Sequence, residues 1–591
     1  EGGRQGSYRL FLEYHELPHY ITDATETVFR GVGSDHLRLP TNWDTANTTQ
    51  DMSYLAPSLR GVEIERDRTT LGAGFGILQG ESWQYDVRYW REEEEGTRIQ
   101  GGKFSFTSSL LPVPVEYITD QLEASVAYAG EAWKGRLAYH GSFFRNKNDA
   151  LTWDNPFDPV PVGPDGTEGR MALPPDNRFS QLSLSGSWHP GGSLTASGRV
   201  AYGRMEQNED FLPATINSGL SPGSLPRDDL GGRVDTLTAD LRVTARPADR
   251  LTLQGEVYYD DRDNQTPRDS YTQVSDDLFI GDTRTNRPYS FEKLGGELDG
   301  ELRVVDSLTA AAGGSLERHE RTLQEVEETV TGTVWGELRA TPGERVDITL
   351  RHLREQRDRS GSYEALGLTP PKNPSLRKFY LADRDRELTR FSLRYLPTHR
   401  LSMGLSVDYA EDDYTDSSAG LTEATDLSST LDVSYSPLET LTTYAYASLQ
   451  RIESDIRGRD NVTGALWVYG QKDTIRSAGI GGEIRNVADA LDLETELSYS
   501  ETTGEIDVDK AGGAPSFPDL ETRLLSFRLG GSYRLSEHTE VGLGYRGERY
   551  RTKDFFIDDV APDTISNVLT LGDEGPDYTV HVAQLFLRVR F

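Results

Sequence analysis

The chain contains no cysteine. Disulfides, iron–sulfur ligation and CxxC redox chemistry are thereby excluded, as is covalent haem attachment through a CxxCH motif. Apolar bulk is also scarce: only 35% of the 591 residues are hydrophobic, and 27% are charged. No apolar run approaches the roughly 18 residues that a membrane helix requires. The start at Glu1 shows no basic-then-apolar leader, so any export signal is expected to have been removed or omitted. A formal net charge of -34 argues against nucleic-acid partners, because a phosphate backbone would be repelled.

Low hydrophobicity with high net charge also fits disorder. Against that stand 28 Tyr, 20 Phe and 8 Trp, distributed through the whole chain. A soluble protein this long would need more apolar residues to fill its cores. A membrane barrel reconciles these facts, since it needs one thin apolar layer while its lumen and loops stay polar.

The repeated unit is a pair of alternating segments joined by a tight turn and followed by a longer polar stretch. Leu237, Ala239, Leu241 and Val243 alternate with Thr238, Asp240, Arg242 and Thr244. After Arg246-Pro247-Ala248-Asp249, Leu251, Leu253, Gly255, Val257 and Tyr259 alternate with Thr252, Gln254, Glu256 and Tyr258. Successive strand side chains point to opposite faces, so each segment has one lipid-compatible and one polar face. The unit recurs around His189-Pro190-Gly191, Pro342-Gly343, Pro397-Thr398, Pro437-Leu438, Ala488-Asp489 and Ser536-Glu537, and less regularly near Gly80, Gly130 and Asp306. About 20 strands are readable in this way, and terminal or irregular ones raise the count into the low or middle twenties.

A second regularity sets a height. Leu194 is followed by Tyr202, Leu251 by Tyr259, Leu401 by Tyr409 and Leu491 by Tyr499, each eight residues on and on the same face. Eight residues rise ~26 Å, and at a tilt of ~40° they project ~20 Å, close to the apolar band of outer-membrane barrels. Tyrosine at that height is expected to form an interfacial aromatic girdle. Long polar stretches (145–178, 206–233, 262–290, 357–387 and 454–474) separate the hairpins. Short turns at one end and long loops at the other are the periplasmic and extracellular sides of a bacterial barrel.

The final stretch, from His581 to Phe591, places Ala583, Leu585, Leu587, Val589 and Phe591 on one face and Gln584, Arg588 and Arg590 on the other. This pattern looks like an assembly signal carried by Leu585, Leu587, Val589 and the terminal Phe591. We therefore expect an all-β fold, a large transmembrane antiparallel barrel in the outer membrane, forming one domain over 1–591. Residues 1–60 would hold a first strand and a long loop, and residues 581–591 the closing strand.

No catalytic constellation emerges, and a non-enzymatic protein is expected. Pro18 between His15 and His19 undermines a helical two-histidine metal site. Asp412-Asp413 and Asp558-Asp559, read as loop residues, could bind Ca²⁺, although solvated charge explains them as well. Gly72, Gly74 and Gly76 alternate with Leu71, Ala73, Phe75 and Ile77. Such lumen-facing glycines bend a barrel wall or admit close approach by something inside. Asp240, Arg242, Glu256, Asp492, Glu494 and Glu496 are candidate lumen contacts, or hydrated lining.

Several stretches resemble the MtrB/PioB family of outer-membrane porins. The clearest runs from Pro112-Val-Pro-Val-Glu-Tyr117 to Tyr128, then through Tyr139-His-Gly-Ser-Phe-Phe-Arg-Asn146 to Leu151-Thr-Trp-Asp-Asn-Pro-Phe157. Leu173-Pro-Pro-Asp-Asn177, Tyr202-Gly-Arg-Met-Glu-Gln207, Phe211-Leu-Pro213, Arg287-Pro-Tyr-Ser290, Glu16-Leu-Pro-His-Tyr20 and Leu37-Arg-Leu-Pro40 add to it. These motifs cover about the first half of the chain. The resemblance implies about 26 strands sheathing a periplasmic decahaem c-type cytochrome, with an extracellular multihaem cytochrome at the long loops. The CxxC of some family members has no counterpart here, so its role does not carry over. Without cysteine the chain binds no c-type haem of its own, and haem would belong to the partners. About 26 strands spaced ~4.8 Å apart give a backbone diameter near ~50 Å, wide enough for a slender folded protein. The alternative is a wide transport porin or a TonB-dependent-type transporter without a haem partner.

Overall fold

Alternation of apolar and polar side chains yields strands along nearly the whole chain. The computed structural model describes residues 1–158, 166–361, 363, 376–459, 464–487, 490–510, 513–514, 516–572 and 575–591. Among these, helix is confined to Leu55–Ser58 and a 3₁₀ turn at Thr49–Asp51. The principal sheet has 24 strands. Two of them are short, Gly2–Arg4 and Val568–Leu569, leaving 22 long wall strands. The wall is an antiparallel meander in which each strand pairs with the next, as Gly232–Ala248 does with Leu251–Asn264.

The count falls slightly below about 26 because some alternating segments pair outside the wall. Ser270–Ser275 and Phe279–Thr285 form a separate hairpin, and Ala150–Asp154 joins Glu168–Ala172 and His36–Leu37 in a three-stranded sheet. The first long strand, Tyr8–Thr22, pairs with Ile64–Gln79 and, over Tyr8–Leu10, with Gly2–Arg4. The last, Tyr578–Val589, pairs with Thr539–Lys553. Among the described residues no ladder joins Tyr578–Val589 to Tyr8–Thr22, so the expected closing strand forms one edge of the wall. Every residue of Tyr578–Val589 is exposed. In hydrocarbon its free N–H and C=O groups would lack partners, so this seam is where the ring has to be completed.

The two ends of the wall differ. At one end the strands turn within a few residues, at Asp249-Arg250, His399-Arg400, Glu439-Thr440 and Glu537-His538. Pro247, Pro397 and Pro437 each sit in a register shift just before such a turn, between Ala245 and Ala248, Tyr395 and Thr398, and Tyr435 and Leu438. The bulge leaves its extra residues outside the ladder, so the missing proline N–H costs no hydrogen bond. The expected turn at Ala488-Asp489 lies outside the described residues.

The other end carries the long connections, with one correction. The stretch 454–474 is mostly ladder: Leu441–Arg459 and Leu466–Val487 pair from Leu441↔Ile484 up to Arg459↔Leu466. Polar strands can pair above a membrane because both faces are then solvated. Apolar side chains of the wall, including Leu182, Leu241, Val257, Leu298, Val334 and Ile480, are exposed on one face. That face is the outside of the barrel, where lipid takes the place of a core.

Candidate functional site: the inner wall face and the loop cap

Inward-facing positions are those between the exposed apolar ones, and the wall register sets their neighbours. Arg242 and Glu256 are direct cross-strand partners. The guanidinium donates to Glu256 Oε2 from Nε at 2.9 Å and Nη2 at 2.5 Å. Asp240 lies two residues away on the same face, opposite Tyr258. The Tyr258 hydroxyl donates to Glu317 Oε2 at 2.7 Å. Farther along, Arg339 pairs with Glu301 at 3.1 Å, and the Arg351 guanidinium lies 4.1 Å from the Trp335 ring centroid. Asp492, Glu494 and Glu496 occupy a different sector, on Leu491–Lys510. Asp492 Oδ1 accepts from the Asn486 N–H at 2.6 Å, and Glu496 lies between Gly481 and Arg528 of the neighbouring strands.

Inward glycines carry aromatic rings from neighbouring strands. Phe11 covers Gly74, Trp90 and Glu13 cover Gly72, and Asp86 lies over Gly76. The close approach that these three glycines permit is thus made by the wall's own side chains, and the space above each is filled. The motif repeats with Phe179 on Gly203, Tyr258 on Gly295, Trp335 on Gly313, Tyr446 on Gly479 and Phe586 on Gly542. Rings seated against glycine shield the backbone and occupy the space a side chain would take. Sequence reasoning missed this pattern, although its signal exists: a glycine and an aromatic fall at matching hairpin registers.

On the outer face, Tyr202 is flanked by Leu182 and Leu237, Tyr259 by Ala239 and Leu294, Tyr409 by Leu427, and Tyr499 by Ala478 and Leu525. Two residues on, the same face turns charged, with Arg204, Asp261, Glu411 and Glu501. Arg204 Nη2 donates to the Tyr202 hydroxyl at 3.0 Å, and the Tyr409 hydroxyl donates to Glu411 Oε2 at 3.1 Å. Leu585, Leu587 and Val589 are exposed beside Leu543, Val541 and Thr539, and Phe591 is exposed beyond the strand's end.

The long connections build a second feature, also missed. Part of the first connection (Val28, Phe29, Leu37) packs with Phe104 and Leu111 at the tips of the tall hairpin Trp83–Phe104/Thr107–Ala129. Leu151, Trp153, Phe157, Leu278 and Leu569 join the same core. Hydrogen bonds stitch the connections together: Thr49 N to Ser566 O (2.8 Å), Ser108 N to Asn567 O (2.9 Å) and Arg170 N to Asp277 Oδ2 (2.9 Å). Burial, and then the charge of Arg30, lowers the pKa of Arg60, whose Nε donates to Phe29 O at 3.1 Å. The extracellular-type loops thus make a folded cap with its own apolar core.

Of the candidate Ca²⁺ carboxylates, Asp558-Asp559 lies in a turn as expected, whereas Asp412-Asp413 does not lie in a loop. Asp412 and Asp413 end the strand Leu401–Asp413, and Asp412 is held by Arg386 (3.4 Å) and Arg384 (3.6 Å) of the adjacent strand. Asp558 Oδ2 accepts from Asp554 N at 2.8 Å within its own turn. His15 and His19 lie on the strand Tyr8–Thr22, opposite Thr70 and Arg66.

The model of the family described as "Putative outer membrane beta-barrel porin, MtrB/PioB" matches residues 1–591. The chain belongs to the MtrB/PioB family. It is 32% identical over 586 residues to the outer membrane protein MtrB of Shewanella baltica, covering 99% of this chain and 83% of that relative. Among solved structures, the FrpB iron transporter of Neisseria meningitidis (F3-3 variant) is similar, with a TM-score of 0.51 at 12% identity. That alignment covers 88% of this chain and 79% of the transporter, and it speaks to the large-barrel fold alone. This MtrB/PioB protein is an outer-membrane β-barrel porin. Its tight turns are therefore periplasmic, and the cap is extracellular.

Proposed function

We propose that this MtrB/PioB porin is a non-enzymatic sleeve that holds a periplasmic multihaem c-type cytochrome in its lumen. The cap would present the outer end of that haem chain to an extracellular multihaem cytochrome, so that electrons cross the membrane. The observation that carries the reading is the wide, thin wall. At ~4.8 Å spacing and ~40° tilt, 22 long strands trace a perimeter of about 140 Å and a backbone diameter of about 45 Å. Rings seated on inward glycines fill the space directly above the wall, and inward ion pairs offer a polar surface for a folded protein. An unfilled bore of this size would be a large leak, which favours a permanent occupant.

The absence of cysteine gives the chain the insulating role and leaves the haem to its partners. Tyr202, Tyr259, Tyr409 and Tyr499 would mark the interface, and Leu585, Leu587, Val589 and Phe591 would serve assembly. Asp240, Arg242, Glu256, Asp492, Glu494 and Glu496 would face the cytochrome, as would Phe11 and Trp90 over the Gly72–Gly76 patch.

The deciding experiment is gentle detergent extraction of the chain from its native outer membrane, followed by haem staining. A stoichiometric haem-positive partner is expected. A stoichiometric complex without haem would overturn the sleeve reading in favour of a transport porin.

A further inference from the structure

The three-stranded sheet beneath the cap is two-faced. Leu37, Leu151 and Trp153 point into the cap core and are almost wholly buried. Its other face carries His36, Asp154 and Glu168, and strand pairing alone brings them together. His36 is the parallel partner of Thr152, which shares a face with Asp154. Asp154 is the antiparallel partner of Glu168.

We propose that His36, Asp154 and Glu168 bind a first-row divalent cation that clips the first extracellular connection to the connection between Asn146 and Asn177. One ligand atom from each residue lies within 4.8 Å of the others. His36 Nε2 is 3.6 Å from Glu168 Oε1 and 3.9 Å from Asp154 Oδ1. Those separations are too long for hydrogen bonds. Ligand atoms around a tetrahedral Zn²⁺, with bonds of about 2.0–2.1 Å, stand about 3.4 Å apart. The two imidazole–carboxylate separations reach that value with contractions of a few tenths of an ångström, and the two carboxylates, within 4.8 Å of each other, close on the ion by side-chain rotation.

Two further observations point to a ligand. His36 Nε2 is buried and has no hydrogen-bond partner. Asp154 is already oriented, because its other oxygen, Oδ2, accepts from Leu39 N at 2.7 Å and leaves Oδ1 turned to the cluster. Directly opposed carboxylates such as Asp154 and Glu168 repel across a ladder, and a cation removes that cost. The imidazole selects the class of metal. Mg²⁺ and Ca²⁺ take all-oxygen shells, whereas one nitrogen with two carboxylates suits Zn²⁺, Mn²⁺ or Fe²⁺. Three protein ligands leave a position open to water.

The test uses the full chain in detergent, stripped with a chelator and titrated calorimetrically with Zn²⁺ and, separately, Ca²⁺. Co²⁺ serves as an absorption probe of the coordination shell. One equivalent of Zn²⁺ is expected, at least tenfold tighter than Ca²⁺, together with slower proteolysis of the cap. His36→Ala and Glu168→Gln should each weaken Zn²⁺ binding at least tenfold, while His189→Ala at a periplasmic turn leaves it unchanged. Glu168 lies on the sheet's outer face, so Glu168→Gln keeps the cap core intact, which tryptophan fluorescence verifies. Unaltered Zn²⁺ binding in both site variants, several weak equivalents only, or equal affinity for Ca²⁺ would each overturn the proposal.

Discussion

The indole of Trp90 covers Gly72 of the neighbouring strand so closely that a Cβ on Gly72 would stand 2.6 Å from Trp90 Cδ1. The same indole donates from Nε1 to Glu13 Oε1 at 2.7 Å, linking three consecutive wall strands. Gly72→Val should therefore displace the ring and destabilise the wall by about 1–3 kcal/mol. The measure is the temperature at which the heat-modifiable gel mobility is lost. Trp90→Ala in the Gly72→Val background should recover part of that loss, since the two residues share one contact.

Face assignment makes an opposite pair of expectations for adjacent residues. Leu241 is exposed on the lipid face, so Leu241→Arg should cost about 2–4 kcal/mol near the bilayer midplane. Asp240→Asn, on the lumen side, should leave stability nearly unchanged. Urea unfolding from liposomes compares the two, and equal losses would refute the orientation of the strand Gly232–Ala248.

The natural absence of cysteine allows the seam to be probed by introduced pairs. Leu543 and Leu585 are direct partners, so Leu543→Cys with Leu585→Cys should cross-link readily. Leu12→Cys with Leu585→Cys, on strands that share no ladder among the described residues, should cross-link in the membrane as well, where the ring has to be completed. Efficient cross-linking of the second pair in outer membranes would show that the two edges meet directly.

Cap and wall should fail separately. Phe157 is fully buried in the cap core, and Phe157→Ala should cost about 3–5 kcal/mol locally. Limited proteolysis should then cut within residues 23–63 while the heat-modifiable mobility of the barrel persists. Loss of both together would mean that the cap and the wall fold as one unit.

Much of the wall was legible because a strand's period is set by local geometry. The alternation from Leu237 to Tyr259 assigns every residue to lipid or lumen without reference to any partner strand. The cap was not legible, because Phe29, Trp153 and Leu569 are far apart in sequence and lie in stretches with no sustained period. Similarly, 454–474 looked like a loop because polar residues occupy both faces, a condition a solvated hairpin tolerates. Asp412 looked like loop charge because its partners, Arg384 and Arg386, lie on another strand.

The amino-acid pattern by itself determined the barrel, its two-faced wall, its tight and long ends and the exclusion of covalent haem. Those follow from side-chain period, proline placement and composition, all of which are local. Tertiary structure alone decided which rings lie on which glycines, how the distant connections share a core, and that His36 meets Asp154 and Glu168. Those relations depend on strand register and chain crossings, which no local periodicity encodes.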